Sequence, residues 1–217
     1  MKQKLIAETL GTAFLLIGVI GSGIMGETLS EGNTAIALLA NAIATGCILY
    51  GIITCLGPVS GAHFNPAVTL FFALRGEHAW SAFLPYVIAQ VVGALLGVWA
   101  AHVMFDMPIL QVSDTMHRTG FAQWSSEIIA TFGLLFVIVG GVVHKPDMVP
   151  PLVGLYITGA YWFTSSTSFA NPAVTFARGW SDTFAGIAPQ HIGMFVVMQL
   201  IGVGVAYLVL PLVFSKA

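Results

Sequence analysis

Residues 171–178 read NPAVTFAR, and the first five of those letters have already occurred at 65–69, NPAVT. Each phrase is written as the start of a helix. Asn is among the strongest N-cap residues, Pro suits the first helical position because it has no N–H to leave unpaired, and Ala propagates the helix. Asn65, Pro66 and Ala67 form one such start, and Asn171, Pro172 and Ala173 the other. The apolar stretches that follow, AVTLFFALR and AVTFAR, are too short to cross a bilayer. Nine residues at 1.5 Å each reach roughly 13–14 Å, about half of a hydrocarbon core. The phrases therefore predict two half-helices that begin at mid-depth.

The surrounding chain supplies the membrane. Of its 217 residues, 57% are hydrophobic and 7% charged, against roughly a quarter charged in soluble domains. Six apolar runs, at about 4–25, 34–56, 79–104, 124–143, 151–168 and 190–214, are read as spans of a single channel-sized domain over 1–217. The first run carries Glu8 and continues into a polar loop, so it is read as a retained helix and not a leader. Lys2, Lys4, Arg75, Lys145 and Lys216 fall on the terminal side, and Arg118 and Arg178 on the other. That asymmetry predicts cytoplasmic termini, and the expected location is the cell's inner membrane. A net charge of −2, thinly spread, gives no basic stripe, which excludes nucleic acid as a partner. The partners expected are the lipid bilayer and small neutral solutes.

Three phrases recur in the same order: ETLGTAFLL at 8–16 with EIIATFGLL at 127–135, the two NPAVT phrases, and QVVGALLG at 90–97 with QLIGVGVA at 199–206. The chain is a duplication with halves at about 1–110 and 120–217. Each half holds three spans, an odd number, so the second enters the membrane from the opposite face. The result is an inverted repeat whose functional site lies at the interface near the midplane. Two helix starts meeting there bring unpaired N–H groups and positive dipole ends together. This arrangement repels cations and protons, while the amides of Asn65 and Asn171 still donate to a neutral oxygen. Glu8 and Glu127 occupy equivalent places, and a carboxylate within a span needs partners. Two readings stand: each accepts backbone N–H bonds from the loop before its half-helix, or one relays protons in a coupled transporter. Gly46, Gly51, Gly93, Gly97, Gly202 and Gly204 predict close helix approach. Cys47 and Cys55, within one span, are read as buried packing residues.

The phrase SGAHFNPAVT at 60–69, the second NPA, the paired E-x-x-x-T starts and the six-plus-two arrangement resemble the aquaporin and aquaglyceroporin family over nearly the whole chain. The resemblance implies an all-α membrane fold, six transmembrane helices plus two re-entrant half-helices, and a homotetramer with a pore in every subunit. It also implies passive permeation, and neither enzymatic activity nor a cofactor. The family usually places an arginine three residues after the second NPA asparagine, in an outer filter. Here that position is Val174. Distances from the two motifs assign Thr45, Gly159 and Ser168 to the same ring, which is small and lacks the usual arginine. A wider filter of this kind suits glycerol-like polyols and metalloid hydroxides such as arsenous acid as well as water, and resembles that of bacterial members associated with arsenic resistance. A water-selective channel is the alternative within the family.

Arg178 lies one turn beyond Val174 and has two readings. ALRG at 73–76 and FARG at 176–179 both resemble a cationic last turn closed by a glycine C-cap; otherwise Arg178 reaches back as a displaced filter or vestibule charge. His63, two residues before Asn65, is a candidate lining residue of the cytoplasmic half-pore. The remaining histidines, His78, His102, His117, His144 and His191, have no metal-ligand spacing, so no metal site is expected. The segment His144-Lys145-Pro146-Asp147 is read as a solvated turn between spans.

Overall fold

In the computed structural model, which describes residues 1–214, every regular element among those residues is helical. Lys216, used in the charge count, lies outside them. In chain order the elements are α1 (Lys2–Leu29), α2 (Thr34–Ser60), α3 (Pro66–Leu74), α4 (Trp80–Met104), α5 (Phe121–His144), α6 (Val149–Phe163), α7 (Pro172–Arg178) and α8 (Pro189–Val213), with a 3-10 turn at Pro146–Met148 before α6. The segment 144–147 is an exposed turn, as expected. Five helices, α1, α2, α4, α5 and α8, are long and apolar enough to cross a membrane. The outward faces are apolar too. Leu84, Leu155, Leu208 and Ile129 are all exposed, which a soluble monomer would avoid and a hydrocarbon environment requires. The protein is a multi-pass membrane protein.

The two halves pack alike. The first helix of each half, α1 or α5, packs against its half's second helix, α2 or α6, and against its third, α4 or α8. Contacts of α2 with α6 join the halves, and each half-helix reaches across: α3 packs on α8 as well as α4, and α7 on α4 as well as α8. Lipid tails are as apolar as leucine, so this assembly relies on close packing more than on burial from water. Glycine makes that approach possible. A Cβ on Gly93 would lie 2.2 Å from the Thr9 carbonyl oxygen, and one on Gly97 2.3 Å from that of Ala13. Gly46 and Gly202 are similarly closed in, whereas Gly51 and Gly204 face open space and serve no close approach.

Three expectations are corrected here. The fifth span, expected over 151–168, is α6 of 15 residues ending at Phe163, about 22 Å at 1.5 Å per residue. The chain leaves the helix at Thr164, whose backbone is extended (φ −110°, ψ 137°), and then turns through positive φ at Thr167, Ser168 and Ala170 to reach the second half-helix. Cys47 and Cys55 are exposed, not buried. On the outward face of α2 a thiol behaves as a small apolar group. The matched glycine caps also differ. Gly76 has φ 75°, the left-handed value of a C-terminal stop, but Gly179 has φ −65° and continues the right-handed turn.

Gly93→Ala is expected to push α1 from α4 and lower stability by roughly 1–3 kcal/mol, as overpacking does. Gly204→Ala meets nothing and should leave the melting temperature unchanged. Thermal denaturation of both variants in detergent compares them directly.

Candidate functional site

The half-helices begin as their sequences dictate. Asn65 N-caps α3, its Oδ1 accepting from the Ala67 amide at 2.8 Å, and Asn171 N-caps α7, accepting from Ala173 at 3.0 Å and Val174 at 3.2 Å. Each asparagine then uses its Nδ2 on the other half: Asn65 donates to the Ala170 carbonyl at 2.7 Å, and Asn171 to the Phe64 carbonyl at 2.8 Å. An amide nitrogen carries two hydrogens, so each side chain retains one donor. Thr69 and Thr175 close the first turns by donating to the Asn65 and Asn171 carbonyls, at 3.0 and 2.8 Å.

Behind each start sits a buried carboxylate. Glu8 accepts from the amides of His63 (3.0 Å) and Phe64 (2.7 Å), from Ser60 Oγ (2.6 Å) and from Gln90 Nε2 (2.8 Å). Glu127 accepts from the amides of Phe169 and Ala170, both at 2.9 Å, and from Gln199 Nε2 at 2.6 Å. The glutamines also donate to Thr69 and Thr175, at 3.0 and 2.8 Å. This is the first of the two arrangements read from sequence for Glu8 and Glu127: acceptors for loop backbone that has no water to bond. Ala62, Phe64, Ser168 and Ala170 have φ between 47° and 50°, a left-handed conformation costing of order 1–2 kcal/mol for a residue with a Cβ. The carboxylates hold that strain in place.

Between the halves runs a cavity of about 330 Å³, lined from Glu77 and His63 near one face, past Asn65 and Asn171, to Ser168 and Arg178 near the other. Its walls are mostly aliphatic side chains of α1, α2, α5 and α6, such as Val19, Leu49, Ile138 and Val153. His63 lines it beside Phe72, with Nδ1 3.1 Å from Thr69 Oγ1. Thr45, Ser168 and Val174 line it as well, and the Ser168 hydroxyl is buried without a protein partner.

Gly159 does not line the cavity; it is exposed on the outer face of α6. Helical phase explains the correction. Ile157 and Tyr161, four apart, share the inner face, and the residue midway between them points away. Tyr161, 3% exposed, has its hydroxyl 3.2 Å from Thr45 Oγ1. Counting residues back from the asparagine could not find it, because the count crosses a loop that breaks the helical phase.

Arg178 lies at the cavity wall, 2% exposed, with Nε donating to the Ala185 carbonyl and its guanidinium carbon 3.4 Å from the centroid of Phe169. It is the basic residue in the last turn of α7, and Gly179 caps that helix in a right-handed rather than a left-handed conformation. Arg118 also approaches the Phe169 ring, with its guanidinium carbon 5.2 Å from the centroid. From the sequence, Arg118 entered only as a loop charge that sets topology. The structure gives it Nε to the Gly186 carbonyl at 2.8 Å and a second bond to Phe184 at 3.3 Å. Burial pulls its guanidinium down to about 10, which leaves it charged at neutral pH.

The segment that delivers Arg118 is stapled across this end of the molecule. Ser113 N donates to the Gly179 carbonyl and Ala188 N to that of Met116, both at 2.9 Å. His102 Nε2 lies 2.9 Å from Ser181 Oγ. Asp182 Oδ1 accepts from Thr115 Oγ1 at 2.7 Å and from the amides of Thr115 and Asp114 at 3.1 Å. The Thr115 hydroxyl, then the amides, hold this carboxyl below its ordinary value of 3.8. A depressed carboxylate contributes its stabilisation above the ordinary value and loses it as pH falls through the depressed one.

Comparisons with known proteins agree with this geometry. The profile described as Major intrinsic protein matches residues 1–166. The aquaglyceroporin AqpS of Rhizobium meliloti (strain 1021) is 53% identical over 202 residues, 93% of this chain and 86% of that protein. Aquaporin Z of Photorhabdus laumondii is 29% identical over 223 residues, 93% of each chain. The X-ray structure of the aquaglyceroporin from Plasmodium falciparum superposes with a TM-score of 0.75, covering 100% of this chain and 99% of that one at 18% identity.

Two outcomes test the framework. Glu127→Ala orphans two loop amides and one of the two Gln199 N–H donors, at about 1–3 kcal/mol per buried donor, and is expected to cut the yield of folded protein in size-exclusion chromatography, with Glu127→Gln recovering part of it. Asp182→Asn should speed amide exchange at Asp114 and Thr115 at neutral pH, whereas the parent chain shows that acceleration only below pH 3.8, as read by hydrogen–deuterium exchange.

With the matching profile, relatives aligned over most of its length and the shared fold, this chain belongs to the major intrinsic protein family and is a passive membrane channel for small solutes, not an enzyme.

Proposed function

We propose that the chain conducts small neutral hydroxylated solutes, glycerol-like polyols, metalloid hydroxides such as arsenous acid, and water, down their gradients. The observation that carries this reading is the cavity between the paired asparagines. A spare Nδ2 donor from Asn65 and another from Asn171 face a path whose other walls are aliphatic. A solute hydroxyl accepts there while its carbon skeleton rests on apolar surface. Two half-helix starts meet at the same depth, and their positive ends oppose a cation or a proton. The 53% identical relative that is named an aquaglyceroporin supports the solute class.

The outer selectivity ring in this reading comprises Thr45, Tyr161, Ser168 and Val174, with Arg178 recessed one turn behind Val174. Val174 leaves the ring open where a longer cationic side chain would cross it. The Ser168 hydroxyl, without a protein partner, is the polar contact the ring offers a polyol. The chain forms one channel unit, with repeats at about 1–110 and 120–217, works in the inner membrane with cytoplasmic termini, and assembles as a homotetramer. A water-selective pore is the second reading. It is favoured by the phenol of Tyr161 and the guanidinium of Arg178, both of which border the cavity.

Stopped-flow light scattering on proteoliposomes separates the two. Rapid re-swelling in glycerol together with arsenite uptake supports the solute channel, and fast water flux without solute entry supports the water pore. Val174→Arg should reduce glycerol passage by tenfold or more while sparing most water flux; unchanged glycerol and arsenite flux would remove Val174 from the ring. Tyr161→Ala is expected to raise glycerol flux.

A further inference from the structure

The face opposite the chain termini carries a pair of imidazoles that the solute path does not use. His117 belongs to the segment between α4 and α5, and His191 to the first turn of α8. The Nδ1 of His117 and the Nε2 of His191 are 3.4 Å apart at an exposed position, with ring planes inclined at 77°. Their backbones are already joined. Ala188 N donates to the Met116 carbonyl, and His191 N donates to that of Ala188, both at 2.9 Å.

That spacing is a chelating bite. Two zinc–imidazole bonds of about 2.0–2.1 Å at a tetrahedral angle place their nitrogens roughly 3.4 Å apart. Imidazole nitrogen suits zinc, copper(II) and nickel, and is a poor match for magnesium or calcium, which take oxygen ligands. The proton now shared between the rings leaves when a metal takes its place. The backbones that carry the two rings belong to different segments already joined by the bond from Ala188 to Met116, which keeps the two imidazoles within reach of one ion. Solvent reaches the remaining coordination positions. No cluster of three or more metal-ligating side chains occurs among the described residues, and a two-ligand site binds reversibly, as a regulator must.

The consequence lies one residue away. Arg118 follows His117 directly and crosses to Gly186, Phe184 and the ring of Phe169, against which Arg178 also packs. We propose that His117 and His191 form a surface site for a zinc, copper(II) or nickel ion, and that its occupancy slows solute entry by fastening the segment that carries Arg118 to the start of α8. The binding half stands independently of the channel reading, and the flux half rests on it.

Isothermal titration of the detergent-solubilised full chain with zinc chloride tests the first half. One zinc per chain is expected, with affinity reduced tenfold or more in both His117→Gln and His191→Gln, and unchanged in His144→Ala, which alters an exposed histidine at the other end of α5. Absence of zinc binding to the parent chain, or binding that survives both glutamine variants, overturns the site. Glycerol flux through proteoliposomes, measured with and without external zinc, tests the second half. Zinc should slow the parent channel and leave His191→Gln unaffected, and the zinc-free flux of that variant shows that it is folded. Zinc that binds without changing parent flux overturns the regulatory role and leaves the site standing. If no variant or parent conducts glycerol even without zinc, the solute-channel reading fails, the regulatory half falls with it, and the titration still decides the site.

Discussion

The structure depends on a reciprocal clasp of two side-chain amides: Asn65 donates to the loop of the second half at Ala170, and Asn171 to the loop of the first at Phe64. Neither half-helix is long enough to be stable alone, since helices below about 12–15 residues are marginal even in favourable sequences. Each is fixed by a cap that its own asparagine supplies and by a bond that the other asparagine supplies. The arrangement is therefore cooperative between halves, and neither loop has its native polar partners until both are present.

Glu8 and Glu127 extend that dependence outward. In hydrocarbon an unpaired N–H has no water to turn to, and the two residues before each asparagine would leave such groups stranded. A carboxylate with two oxygens can take both, and the glutamine and threonine that complete each set order it further. The left-handed residues that aim these amides inward are strained, and they persist because the surroundings over-determine them. A polar centre inside an apolar bundle is thereby rigid, which suits a path where solutes exchange hydrogen bonds with fixed donors.

The two ends of the path differ although the halves share a plan. At the end nearer the termini, Tyr86 OH satisfies the Ser60 carbonyl at 2.9 Å, and His63 stands among Phe72, His78 and Tyr86. At the far end the corresponding loop is braced by Arg118 and Arg178, both packed on Phe169. Aromatic and imidazole groups frame one mouth, and two guanidiniums the other. Duplication supplied the scaffold, and divergence of the loops supplied the asymmetry that a filter needs.

Much of this was legible in the chain. The apolar runs, the two NPAVT phrases and the ordered repeats determined a membrane bundle with two capped half-helices, because those features depend on local propensity and on length against bilayer thickness. Glu8 and Glu127 were legible as carboxylates in need of partners, whereas Gln90 and Gln199, visible only as the first letters of a repeated phrase, became their partners in the fold. Tertiary structure alone decided which side chains meet at the outer ring. Tyr161 displaced Gly159 because helical phase in α6 is reset by the loop that follows it, and residue counting cannot see that reset. Arg118 became a neighbour of Arg178 across 60 positions of sequence, through backbone bonds of residues 113–118 that no local pattern encodes. Sequence determined the elements and their caps by short-range chemistry, and the fold chose the partners by bringing distant loops to one face.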